Sequence, residues 1–164
     1  MEFKTSLDKL AKVVTAVITI LFTAIIVLQL IFLQDCGNTS SIITITTLLI
    51  SYLIAFIFRP ISYIILDEFL VIHRPLLDIK IALNEIENMV VLDSQELKGT
   101  IRTFGVGGLW GYWGSFANSR IGAMKWYATR MSNAVLITTG NNKKIVLTPD
   151  DPELFVKKLK SVQL

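Results

Sequence analysis

The sequence predicts a transmembrane hairpin of two helices followed by a mainly-β domain that closes on a C-terminal amphipathic α-helix. Three observations carry that prediction. Apolar residues make up 52% of the chain, at a mean hydropathy of +0.59, an excess too large for an ordinary soluble domain and concentrated at the front. Beyond residue 60, runs of β-branched and aromatic residues alternate with turn signals. Residues 148–162 then switch to a helical period.

Residues 13–33 form a run of 21 positions without a charge, and residues 42–58 a second run of 17. As helices, both can cross a hydrocarbon core about 30 Å thick, the second only just. A cleaved signal sequence is the competing reading of the first run, but such a segment ends in small residues, whereas QLIFL at 29–33 is bulky. Orientation follows from the bases. Lys4, Lys9 and Lys12 lie in the segment 1–12 and Arg59 follows the second run, while the connecting QDCGNTSS carries Asp35 alone. The positive-inside rule therefore places both termini in the cytoplasm, with the hairpin in the plasma (inner) membrane. Cys36 falls in the short outer loop, where an incidental free thiol and an intersubunit disulfide are the alternatives.

Neither run contains Asp, Glu, Lys, Arg or His, so a transport or proton-relay role is not expected. Small and hydroxylated side chains instead form stripes at Thr15, Thr19, Thr23 and at Thr44, Thr47, Ser51, Ala55. Two readings of the stripes stay open. They permit close helix packing, within the hairpin or against a second copy, or each hydroxyl bonds back to its own helix at i−4. Either way the runs anchor.

The segment 59–164, about 100 residues, is long enough for one compact domain. It carries thirteen basic and ten acidic side chains, a mildly basic balance that suits an anionic inner leaflet. SYIILDEFLVIHRPLLDIKIAL, interrupted at Asp67-Glu68 and Arg74-Pro75, predicts two or three short antiparallel strands, and MKWYATR, NAVLITT and KKIVLTP continue the pattern. Gly140-Asn141-Asn142 tolerates positive φ, and Val135 and Ile137 alternate in step with Ile145 and Leu147, which marks a hairpin with one buried face. In TPDDPELFVKKLKSV, Asp151 caps, Pro152 takes the first helical position, and Phe155, Leu159 and Val162 share a face.

Strands closed by one C-terminal helix, together with RTFGVGGLWGYWGSF, IGAMKWYAT, NAVLITT and IVLTPDDPELFVKKL within 102–159, resemble a bacterial pleckstrin-homology-like (PH-like) domain of the kind found behind a pair of membrane spans. The resemblance extends over about residues 60–164. It implies a seven-stranded, strongly bent antiparallel sheet or partly open barrel capped by the helix, a binding scaffold without catalytic residues, and in some relatives self-association. The inositide-binding members use a basic cluster around their first strands. Here that region offers Asp67, Glu68, His73, Arg74, Asp78 and Lys80, so inositide recognition is not carried over.

The run FGVGGLWGYWGSF at 104–116 packs five glycines and five aromatics into thirteen positions. It is not a phosphate cradle of the Walker type, which needs a G-K-[ST] end, and no lysine lies between Lys98 and Lys125. It is not a dinucleotide fingerprint either, because Trp110 stands where the third glycine belongs. Three readings remain open. In one, the glycines bend a curled sheet and the aromatics fill it. In another, Leu109, Trp110, Tyr112 and Trp113 meet the headgroup layer, with Arg102, Arg120 and Lys125 near anionic lipid. In the third, they anchor a protein interface.

His73 is expected at a strand end or turn. Asp67 and Glu68 are a turn rather than an acid/base pair, since adjacent strand residues face opposite ways. Lys157, Lys158 and Lys160 form a solvated helix face. One His and one Cys provide no zinc cage, and no cofactor, metal or enzymatic activity is expected. The expected partners are the lipid bilayer and a second copy or another membrane protein. Nucleic acid is not expected, because the aromatics are not interleaved with dense basic residues. The function implied is a membrane-anchored, non-enzymatic binding or assembly module, with a lipid-surface sensor as the alternative.

Overall fold

The computed structural model describes residues 1–35 and 39–163. Cys36, and with it both thiol readings, lies outside the described residues. Helix α1 covers Lys9–Asp35 and α2 covers Thr39–Ile57. Asp8 caps α1, its Oδ1 accepting the Ala11 N–H at 2.7 Å, which satisfies a backbone donor that the first turn leaves free. Pro60 follows two residues after α2 gives way to a turn, as its fixed ring requires. Within these helices Lys9–Ile31 and Thr39–Ile57 are long and apolar enough to cross a membrane. Their outward side chains, Val13, Ile20, Ile43 and Leu53 among them, are exposed rather than packed in a protein core.

Polar contacts between described residues tie the helices together as antiparallel neighbours. Thr19 Oγ1 meets Tyr52 Oη at 2.8 Å, and Ser41 Oγ donates to Gln29 Oε1 at 2.6 Å. Such contacts count in an apolar medium, where an unmade bond has no water to replace it.

The first sheet runs β1 (Glu2–Lys4), β2 (Ser62–Ile65), β3 (Phe69–His73), β4 (Ile79–Ala82) in spatial order, all antiparallel. Of the two or three strands expected between 62 and 83, three form, β2 to β4. Strand β1 precedes the spans in sequence, yet it pairs with β2 immediately after them, Phe3 opposite Tyr63. The start of the chain and the domain therefore lie on one side of the helix pair.

The second sheet contains β5 (Ile86–Leu92), β6 (Ile101–Gly108), β7 (Gly111–Asn118), β8 (Gly122–Ala128), β9 (Ala134–Thr139) and β10 (Lys144–Leu147), in the order β5-β9-β10-β8-β7-β6. The β9–β10 hairpin has the expected register, Ile145 opposite Ile137 and Leu147 opposite Val135. One pairing departs from an all-antiparallel sheet, because β10 runs parallel to β8. The chain leaves β8, places β9 one strand away, and fills the gap with β10, which then shares the direction of β8. Among the described residues the ten strands exceed the seven implied by the resemblance, with β1 added from before the two apolar helices and residues 104–116 forming parts of two strands joined by a turn at Leu109 and Trp110.

Two cores result. Phe3, Tyr63, Leu70, Ile72, Val135, Leu147 and the Phe155–Leu159 face of helix α3 (Pro152–Gln163) pack together on one side of β9 and β10. Asp151 Oδ1 accepts the Leu154 N–H at 3.0 Å, the cap that the sequence marks. Phe3 meets Phe155 edge-on at 5.1 Å. On the other side, Trp126 is fully buried and stacked on Phe116 at 4.8 Å, with Tyr112, Met124, Leu97 and Val146 around it.

Candidate functional site

The glycine-aromatic run is a tight antiparallel hairpin whose tip touches the helix pair. Its glycines have specific work at one cross-strand pair. Gly105 and Gly114 face each other with φ of 104° and 122°. A Cβ on Gly105 would lie 2.2 Å from the Trp113 carbonyl oxygen, and one on Gly114 would lie 2.3 Å from that of Phe104. Only glycine lets the two backbones approach so closely in that conformation.

The aromatics divide by position. Tyr112 and Phe116 are buried and fill the inside of the curl, as the structural reading expects. Trp113 points to the other face and lies 5.0 Å from the Phe58 ring. Trp110 occupies the tip with φ of 59°, a conformation uncommon for a bulky residue. Its ring meets Tyr52 edge-on at 6.1 Å and Phe56 at 5.4 Å, both on α2. Its N–H donates to Thr15 Oγ1 at 2.9 Å, and the same hydroxyl donates to the Gly108 carbonyl at 3.3 Å. Leu109 is half-buried beside it, and Phe104, at 72% exposure, faces solvent.

The connections on both sides are equally short. Asp8, besides capping α1, accepts the Tyr112 hydroxyl at 3.3 and 3.4 Å and the Met131 N–H at 3.2 Å. Burial first, then the Asp8 charge and hydrogen bond, push the Tyr112 phenol up to about 12. Thr5 Oγ1 donates to the Thr148 carbonyl at 2.6 Å, Thr129 Oγ1 donates to the Ser6 carbonyl at 2.8 Å, and Asp150 accepts from both the backbone and the hydroxyl of Ser6 at 2.9 Å. Tyr63, wholly buried, donates to the Tyr127 carbonyl at 2.6 Å and accepts the Thr148 N–H at 3.1 Å. Burial raises its phenol above the ordinary value.

The remaining site residues scatter. Lys125 Nζ donates to Ser115 Oγ at 2.8 Å midway along β8. Arg120 lies in the β7–β8 turn, at the opposite end of β7 from the tip, and donates to the Gln95 carbonyl at 2.8 Å. Arg102 is exposed on β6. These three do not gather around Trp110. The cation that does is Arg59, whose guanidinium carbon lies 4.5 Å from the Phe56 ring centroid and 4.8 Å from that of Trp110. Burial pushes its pKa down from the ordinary arginine value, though an arginine stays charged. Sequence reasoning used Lys12 and Arg59 only as topology markers. Nothing in their spacing, 47 positions apart, signals that they line one cavity.

The stripes in the spans also divide. Thr23, Thr44 and Thr47 bond back to the carbonyls of Thr19, Ser40 and Ile43 at 2.8–2.9 Å, and Ser51 to that of Leu48 at 2.9 Å. Thr19 donates to the Thr15 carbonyl at 2.7 Å and also meets Tyr52. Thr15 alone of the six reaches the domain.

His73 ends β3, and its Nδ1 lies 2.9 Å from Asp78 Oδ1 across the β3–β4 turn. The Arg74 N–H, 3.0 Å from the same oxygen, is the largest influence holding the Asp78 carboxyl below its usual range. This turn stands at the end of the domain nearest the spans, because the Arg74 guanidinium carbon is 5.2 Å from the Phe58 ring centroid. Its tip exposes Leu76 (65%) and Leu77 (59%). Lys157, Lys158 and Lys160 are exposed on α3. Among the described residues, no three His, Cys, Asp or Glu side chains converge as a metal site.

No curated protein and no solved structure matches this chain. A family model described as bacterial PH domain matches residues 61–163, a span that begins just before β2 and ends with α3. The two apolar helices, the open sheets and the closing helix agree with that match, and the chain belongs to the bacterial PH domain family.

Proposed function

We propose that the protein is a non-enzymatic assembly module, anchored by its two spans, that holds a PH-like domain in a fixed pose at the cytoplasmic face of the membrane and joins a second copy through that domain. Lys4, Lys9, Lys12 and Arg59 all belong to the side of the helix pair that carries the domain, and the positive-inside rule makes that side cytoplasmic. The observation that carries the assembly reading is the outer strand of the second sheet. Strand β6 lies at the sheet edge, with Phe104 at 72% and Ile101 at 64% exposure. An apolar, unpaired edge is a template for strand addition.

The test is the mass of the full-length chain in lipid nanodiscs, alone and with Ile101→Asp and Phe104→Asp together. Two copies per particle for the wild type and one for the variant are expected. A wild type that stays single at every concentration contradicts self-assembly.

A second reading, contact with the lipid surface, is favoured by Leu76 and Leu77. Two exposed leucines on a turn beside the end of α2 sit where side chains can enter the headgroup layer. In this reading the β3–β4 turn, rather than the docked aromatic hairpin, touches lipid.

A further inference from the structure

A cavity of about 370 Å³ opens where the spans meet the domain, between the Thr5–Leu7 connection and Arg59–Ile61, with Lys12 and Trp110 in its wall. The Arg59 guanidinium packs against two adjacent rings, Phe56 and Trp110, whose centroids lie 5.4 Å apart. The Arg59 Nε is buried without a hydrogen-bond partner, and neither Arg59 nor Lys12 forms an ion pair among the described residues. The neighbouring carboxylates are already engaged, Asp8 with the α1 backbone and Tyr112, and Asp150 with Ser6 and Arg130. Ring contacts that fix a guanidinium while no carboxylate pairs with it prepare it for a two-point acceptor, and phosphate, which can offer two oxygens to one guanidinium edge, is such an acceptor.

We propose that this cavity binds the phosphate of an anionic phospholipid headgroup, held by the Arg59 edge and the Lys12 ammonium. A lipid rather than a soluble phosphate is favoured by place. On the face of α1 that continues from Lys12, Ala16 and Ile20 at i+4 and i+8 are exposed, so acyl chains can lie along the helix while the headgroup enters the cavity. The site is distinct from the β6 edge and from the Leu76–Leu77 turn. It rests on the same placement of the two spans in a membrane.

The test uses the full-length chain, extracted in mild detergent and titrated with phosphatidylglycerol or phosphatidylcholine, with bound lipid counted by native mass spectrometry. Phosphatidylglycerol is expected to be retained over phosphatidylcholine. Lys12→Gln and Arg59→Gln are each expected to weaken retention about tenfold, the scale of one charge-assisted hydrogen bond. Arg120→Gln, at the far end of β7, is expected to leave it unchanged. Lys12 is exposed, so its variant keeps the test open if loss of Arg59 disturbs folding. Equal retention of both lipids, or wild-type retention in Lys12→Gln and Arg59→Gln, overturns the proposal. Displacement of bound lipid by inorganic phosphate at comparable concentration overturns the lipid as the ligand. A chain that does not fractionate with membranes fails the shared placement of the spans instead, and that outcome is read separately by fractionation before extraction.

Discussion

The Thr15 hydroxyl, on a helix long and apolar enough to cross a membrane, accepts the backbone N–H of Trp110 at 2.9 Å at the tip of a β-hairpin 95 residues later in the chain. One oxygen thereby closes the β6–β7 turn and ties the domain to its anchor. Replacing Thr15 by Val keeps the shape and removes the oxygen. Stability is expected to fall by about 1–3 kcal/mol, the cost of a buried donor left unsatisfied, read as a lower midpoint in thermal unfolding of the detergent-solubilised chain. An unchanged midpoint would mean that the contact contributes nothing.

The Gly105–Gly114 pair makes a sharper contrast. Gly114→Ala combines positive φ with a Cβ driven to 2.3 Å from the Phe104 carbonyl oxygen. It is expected to cost more than about 3 kcal/mol, since strain of about 1–3 kcal/mol is only part of it. Gly122→Ala has φ of 86° but nothing within 4 Å of its Cβ, and about 1–2 kcal/mol is expected. Equal unfolding midpoints for the two variants would show that close approach is not what requires Gly114.

The Asp8–Tyr112 contact is open to titration. The phenol, raised to about 12 in the fold, ionises near 10 in an unfolded chain. A folded pKa above the unfolded one means that this contribution to stability is complete below pH 10 and disappears as pH rises from 10 to 12. Absorbance titration of the phenols, with Tyr112→Phe to assign the signal, is expected to place Tyr112 near 12. Asp8→Asn removes the charge but not the burial, so Tyr112 is expected to move down while staying above its ordinary value. No movement would assign the whole shift to burial.

Legibility in the sequence followed locality. The β9–β10 hairpin and the start of α3 were readable because Val135, Ile137, Ile145 and Leu147 alternate and Asp151-Pro152 caps, all within a short stretch. Strands β6 and β7 were harder, since glycine interrupts the alternation. The pattern is nevertheless there, with Tyr112 and Phe116 four apart on the buried face and Trp113 on the other. Val162, at helical spacing from Phe155, stays 38% exposed because α3 is near its end there. Strand β1 was not readable. It is three residues long and its partner lies beyond both spans, so no local period marks it. The membrane-proximal site was hidden for the same reason. Lys12, Thr15, Arg59 and Trp110 meet only when both helix ends and the hairpin tip close together, whereas Arg102, Arg120 and Lys125, nearer in sequence to the tryptophans, are spread along the sheet.

The fixed pose of the domain on its anchor is tested most directly by hydrogen exchange at the hairpin tip. The full-length chain in nanodiscs would be compared with Thr15→Val over the peptide covering residues 107–113. Slow exchange of the Trp110 amide in the wild type, rising towards that of an open turn in the variant, is the expected result. Fast exchange at the tip in the wild type would contradict the clamp, and with it a domain held in one pose against the membrane.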